Sequence, residues 1–213
     1  GFISPGQFIP ILENTNQIEH LTNWIIEQAC QQMERWNKDG LIFHQVSINI
    51  PGSYVTSPNL TNHLNECLHR YKVPASQMEL EITETSVIHD IQNAIVAVRS
   101  FRAKGLNVAL DDFGTGLSSL SYIKEIPITT IKIDKSFIPL EEEYPDKKKD
   151  CIMFENIAKL AKELGYLVIA EGVGTEKQYE YLRDVGCDII QDFYFDKPMP
   201  EEKFLEKVVI GQY

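Results

Sequence analysis

The stretch VALDDFGTG, Val108 to Gly116, runs three apolar residues into two adjacent aspartates, with two glycines close behind. Two acids in that place either mark where a strand meets water or hold something cationic. Other β-branched runs also end in polar residues: Asn49 in QVSINI, Glu81 in MELEIT, Asp134 in TIKID, Glu171 in LVIAE and Gln191 in DIIQ. Strands normally stop where polar loops begin, but turn chemistry would supply Gly, Ser, Asn or Lys about as often as acids. A run of acids and amides favours one shared site. Asn49, Glu81, Asp111 and Asp112 offer oxygen ligands only, which suits Mg²⁺ or Mn²⁺ and not zinc, which usually recruits His or Cys. Adjacent aspartates can bridge two ions, and ion pairs about 3.5–4 Å apart are a recurrent device for phosphodiester hydrolysis.

Lys132 and Asp134 are two apart in IKID, so on a strand they share a side. An inward lysine among acids can orient a water or offset transition-state charge. The alternative is a buried structural Lys132–Asp134 pair. Glu171 is a candidate proton acceptor, and Gln191, an amide, can only position a ligand or water. Glu84 follows Glu81 by three residues, beyond the strand end, where it can brace a loop better than bind metal. Gly114 and Gly116 permit a tight path after the aspartates, into a helix capped by Ser or Thr. The histidines, His20, His44, His63, His69 and His89, have no metal-ligand spacing.

The elements that must carry these residues alternate. Helical periodicity covers about Glu19–Trp36, Leu60–Tyr71, Ile91–Lys104, Cys151–Leu164 and Lys177–Val185. The first is predicted to bury Leu21, Trp24, Ile25, Ala29 and Met33. Glycines at 40, 105, 165 and 186 punctuate the helix ends. Strand–helix alternation predicts a parallel α/β sheet with right-handed crossovers. Without a G-x-G-x-x-G after the first strand, and with polar strand ends converging, a (β/α) barrel mouth fits better than a doubly wound sheet. The charge-dense segment PLEEEYPDKKKD, residues 139–150, reads as a solvated loop.

With 213 residues, 43% of them apolar, the chain can bury the core of one domain, residues 1–213. No run approaches the roughly 18 apolar residues of a membrane span. The net charge of −11 argues against a long nucleic acid as partner. Four scattered cysteines without C-x-x-C spacing fit reduced thiols in a cytoplasmic protein. The non-methionine start suggests that the chain begins inside a longer polypeptide, one that an upstream segment could anchor to a membrane.

The ordered series FISPGQFIPILENTNQI, SINI, ELEITE, ALDDFGTGLSSLSYI, IKIDKSF, IAEGV and IQDFYFDKPMP resembles the EAL domain, a family of bacterial cyclic di-GMP phosphodiesterases. The resemblance spans essentially the whole chain. It implies a modified TIM barrel that cleaves one phosphodiester of cyclic di-GMP to linear pGpG with Mg²⁺ or Mn²⁺. By motif position, Asn49, Glu81, Asp111 and Asp112 match metal ligands, and Lys132 and Glu171 the residues that activate water. Asp134 and Gln191 match further site positions, and Glu84 the glutamate anchoring the D-D-F-G-T-G loop. A homodimer and an upstream regulatory domain are further expectations. The Glu-Ala-Leu motif itself does not occur in residues 1–213, nor do the first two strands it would accompany. Impaired turnover is therefore expected of the chain as given. Gly174, Asp192 and Asp196 stand where the family usually carries glutamate, glycine and a small residue. The alternative is a non-catalytic EAL domain acting as a nucleotide receptor or protein scaffold.

Overall fold

The computed structural model of the chain describes residues 3–15, 17–115, 122–138 and 148–209. These residues form two compact units, Gly1–Ile131 and Lys132–Tyr213. Strand β4 (Thr130–Ile133) carries the chain from one into the other.

The first unit contains α1 (Pro5–Asn14), α2 (Ile18–Lys38), β1 (Val46–Asn49), α3 (Gly52–Val55), α4 (Pro58–Arg70), β2 (Met78–Thr83), α5 (Glu84–His89), α6 (Ile91–Ala103) and β3 (Asn107–Phe113). Its strands pair in parallel, β1 with β2 and β2 with β3. β2 is buried along almost its whole length, as a strand covered on both faces must be. One face carries Met78, Leu80 and Ile82, all fully buried, and the other Glu79, Glu81 and Thr83. Alternation thus puts acids inside without exposing the apolar row.

Helix α2 shows where periodicity alone misleads. Its buried face is Ile18, Thr22, Ile26, Cys30 and Met33, whereas Trp24 is 58% exposed and Ile25 37%. Two apolar stripes overlap on this helix, and the buried one carries the small Thr22 and Cys30. The Thr22 hydroxyl is satisfied by donating to the Ile18 carbonyl at 2.8 Å. Polar ties also hold the same helix: among them, Tyr54 donates its hydroxyl to Asn23 Oδ1 at 2.9 Å, and His63 Nε2 lies 3.0 Å from the Asn23 carbonyl. Local caps set the shorter helices, with Ser57, Thr83 and Asp90 accepting from the first turns of α4, α5 and α6.

The second unit contains α7 (Lys148–Glu163), β5 (Leu167–Glu171), α8 (Glu176–Val185), β6 (Ile189–Gln191) and α9 (Glu201–Val209), with β5 and β6 parallel. Helix α8 opens on a capping box between Thr175 and Gln178 and closes on Gly186 at φ 86°. The other helix-ending glycines, 40, 105 and 165, also have positive φ. Residues 139–147 of the charged segment lie outside the described residues, and Lys148–Asp150 open α7.

Each unit therefore has the expected parallel α/β organisation. Sequence periodicity does not reveal α1, α3, α5 or α9. α1 buries no residue and contains Pro10, so it has no core-facing stripe to detect. Among the described residues no helix is long and apolar enough to cross a membrane.

All four cysteines are free thiols. Burial pushes the Cys30 thiol up to about 12, and it raises Cys67 in the same way. Both are fully buried, so iodoacetamide at pH 8, followed by mass spectrometry, should label them at least tenfold more slowly than partly exposed Cys151. A folded-state pKa above the unfolded one means that the native protein holds protons the unfolded chain releases. Stability should accordingly fall as pH rises from about 9 toward 12. Replacing Cys30 by alanine should flatten that decline.

Candidate active site

Register places the first donors. Asn49 and Glu81 are direct partners across β1 and β2, and Thr83 pairs with Asp111 across β2 and β3. Asn49 is exposed, Glu81 is 7% exposed and Asp111 9% exposed. Asp112 sits at φ 54°, a left-handed conformation uncommon for a residue with a Cβ. In an extended strand Asp111 and Asp112 would point to opposite faces. The left-handed turn interrupts that alternation, and the Asp112 N–H donates back to Asp111 Oδ1 at 2.9 Å. Strain of this kind persists where surroundings over-determine it, and it clusters at functional sites.

Glu84 supplies that over-determination. It is the first residue of α5 and is fully buried. Its Oε2 accepts from the Gly114 N–H at 2.8 Å and its Oε1 from the Tyr122 hydroxyl at 2.8 Å. One carboxylate thus grips both described ends of the segment after the aspartate pair. Burial and the bond to Glu84 together push the Tyr122 phenol well above its ordinary range, so it remains a donor at all working pH values. Residues 116–121, where a Ser- or Thr-capped helix is expected, lie outside the described residues. Sequence reasoning misses Tyr122, whose one signal is an aromatic at the far end of the loop motif. Tyr122→Phe should destabilise the protein by about 1–2 kcal/mol in chemical denaturation, because it leaves a buried carboxylate oxygen short of a donor. Glu84→Ala, which orphans two donors, should cost more.

In the second unit, Lys132 on β4 is 3% exposed and forms an ion pair with Glu171 at 2.6 Å. Glu171 ends β5 and keeps 27% of its side chain accessible. One partner is sequestered and the other open to a ligand, an asymmetry suited to a proton acceptor held by a cation. Asp134 serves the backbone instead, where its Oδ1 accepts from the Ser136 N–H at 2.9 Å and caps a short 3-10 turn, Lys135–Phe137. That turn packs tightly against the residue after Glu171. Gly172 has φ 89°, and a Cβ there would come within 2.1 Å of Lys135 Cβ. Gln191 is the register partner of Glu171 on β6.

Of the departures from the family pattern, the two aspartates have local partners and Gly174 has no structural explanation. Asp196 is ion-paired to Lys207 of α9, so its charge is offset within the unit. The Asp192 carboxylate accepts from the Phe193 N–H. Gly174 donates its N–H to Gln178 Oε1 at 2.8 Å, and a Cβ there would meet only ordinary contacts. Nothing in the backbone demands glycine at that position.

The all-oxygen donors on β1, β2 and β3 match a hard divalent cation in chemistry. Among the described residues no group of three or more His, Cys, Asp or Glu is drawn together tightly enough to form a metal cage. The fit to a metal is therefore one of donor type and strand register.

A family profile described as the EAL domain matches residues 1–198. A bifunctional diguanylate cyclase/cyclic di-GMP phosphodiesterase of Pseudomonas aeruginosa, MucR, is 34% identical over 208 residues, covering 98% of this chain and 30% of MucR. The signaling protein YkoW of Bacillus subtilis is 36% identical over 208 residues, again 98% of this chain and 25% of the relative. The chain thus spans about a quarter to a third of the length of the curated relatives it matches. Among solved structures, a MucR phosphodiesterase in complex with c-di-GMP superposes with a TM-score of 0.89 at 34% identity, covering 96% of this chain and 81% of that one. An EAL domain protein from Listeria monocytogenes gives a TM-score of 0.82 at 32% identity, covering 98% and 80%. Together with the parallel strands and the motif series carried on their ends, these likenesses place the chain in the EAL domain family, with its TIM-barrel-like α/β fold.

Proposed function

We propose that this chain is the phosphodiesterase portion of a signalling protein and hydrolyses cyclic di-GMP to linear pGpG. The observation that carries the reading is the oxygen-donor set on β1, β2 and β3, with Asn49 and Glu81 in register and the Asp111–Asp112 pair held by a left-handed residue. EAL phosphodiesterases are metal-dependent. Here Asn49, Glu81, Asp111 and Asp112 would hold Mg²⁺ or Mn²⁺, which supplies positive charge to the phosphoryl oxygens and favours ionisation of water. Glu171 accepts the proton of the attacking water, and Lys132 holds the Glu171 carboxylate in place and offsets its charge. The water oxygen bonds to phosphorus, one ribose 3′ oxygen leaves and takes a proton, and the ring opens. Asp134 keeps β4 joined to its following turn, and Gln191 positions ligand beside Glu171. Glu84 fixes the loop that follows the aspartates.

The test is incubation with cyclic di-GMP and Mn²⁺, with chromatographic detection of pGpG. Slow turnover is expected because Glu-Ala-Leu is not among residues 1–213. Binding without any pGpG, even with Mn²⁺ saturating, would favour the receptor reading instead. We also infer a homodimer, checked by sedimentation.

A further inference from the structure

Beneath the donors lies a polar network that the reaction does not use. Glu79 is 1% exposed in the interior of β2. Its Oε1 accepts from the Ser47 hydroxyl of β1 at 3.0 Å, and its Oε2 from the Thr130 hydroxyl of β4 at 2.7 Å. Thr130, also 1% exposed, lies 3.5 Å from Thr129 Oγ1, which accepts from the Val108 N–H at 3.0 Å and donates to the Val108 carbonyl at 2.9 Å. Three strands, β1, β2 and β4, are thereby joined through one carboxylate, while Thr129 ties the residue before β4 to β3.

The placement relative to the site residues is regular. Ser47 precedes Asn49 by two residues, Glu79 precedes Glu81 by two, and Thr130 precedes Lys132 by two. On a strand that spacing means the same face, one side-chain row deeper. Register makes the relation tighter still, because Ser47 pairs with Glu79 as Asn49 pairs with Glu81. A buried carboxylate satisfied by hydroxyls is a poor source of stability, since an apolar side chain of similar size often does as well. Its distinctive effect is on register: a slip of one residue would turn every side chain to the other face and leave the carboxylate without donors.

We propose that Glu79 is a positioning residue, pinning β1, β2 and β4 through Ser47 and Thr130 so that Asn49 and Glu81 stay level as ligands. This rests on the metal-binding reading above for its functional consequence, but the pinning itself can be read without metal. The direct reporter is the Ile50 N–H, which donates to the Glu81 carbonyl at 2.8 Å beside the donors.

The experiment compares the wild-type chain with S47A/E79L/T130V, which fills the row with apolar groups, and with E79Q, whose amide can re-form both bonds because each hydroxyl can donate or accept. Mn²⁺ affinity and amide exchange at Ile50 are measured alongside the melting temperature. The triple variant should melt near wild type, yet exchange at least tenfold faster at Ile50 and bind Mn²⁺ about tenfold more weakly. E79Q should stay within about threefold on both. Unchanged exchange and affinity in the triple variant would overturn the proposal. So would changes in exchange and affinity that merely track a lowered melting temperature, which marks a purely structural role. If wild type binds no Mn²⁺, the metal reading fails, and exchange at Ile50 alone decides whether Glu79 pins the strands.

Discussion

Asp111→Asn should reduce Mn²⁺-dependent turnover of cyclic di-GMP by at least about a thousandfold, while leaving the melting temperature within a few degrees of wild type. The change is nearly isosteric, and Asn keeps an Oδ1 that can still accept from the Asp112 N–H, now 2.9 Å away. The local turn at φ 54° therefore survives. What disappears is one negative charge from a site whose donors are otherwise an exposed amide, Asn49, and the carboxylates of Glu81 and Asp112. A hard cation held by oxygen donors draws most of its affinity from carboxylate charge. Calorimetric titration with Mn²⁺ should show affinity lost together with turnover. Near-normal turnover would remove Asp111 from the ligand set and leave its burial as a packing feature.

The contrast between Asp111 and Glu79 indicates what the sequence makes legible. A doublet of acids next to glycines breaks the strand pattern, so Asp111 and Asp112 stand out in a single reading. MELEIT reads as a strand with the bounds the structure has, Met78–Thr83, yet Glu79 passes as one of its alternating residues. Its meaning depends on Ser47 and Thr130, 32 and 51 residues away, and no local pattern announces such partners. The same limit applies to Lys132, which reads as part of the chemistry with a structural pair to Asp134 as the alternative. The structure pairs it with Glu171, while Asp134 caps the next turn. Helix α2 misleads differently: its length is legible, but the choice between two overlapping apolar stripes is made by tertiary packing, which intrinsic periodicity does not contain. The strands are easier to find than their buried acids, because β2 keeps a fully apolar row, Met78, Leu80 and Ile82, whatever its other face carries.

The Lys132–Glu171 pair permits a prediction in which stability and catalysis separate. Glu171→Gln removes the proton acceptor and should lower turnover by about 10²–10⁴-fold. It also takes a charge partner from a lysine that is only 3% exposed. Breaking a fully buried pair costs about 3–5 kcal/mol. Glu171 is 27% exposed and water screens part of the interaction, so a loss of about 1–3 kcal/mol is expected here. Adding Lys132→Met should recover part of that stability, because it removes the ammonium that has lost the Glu171 charge and fills its volume with an apolar chain. Activity should not return, since neither the proton acceptor nor its positioning cation is restored. Thermal unfolding and pGpG formation measured on the two variants decide the matter. If the double variant regained both stability and turnover, the pair would be structural and the proton acceptor would lie elsewhere. If Glu171→Gln lost stability with turnover intact, Glu171 would be only a counterion for Lys132. Recovery of stability alone is the result that a proton acceptor held by a buried cation requires.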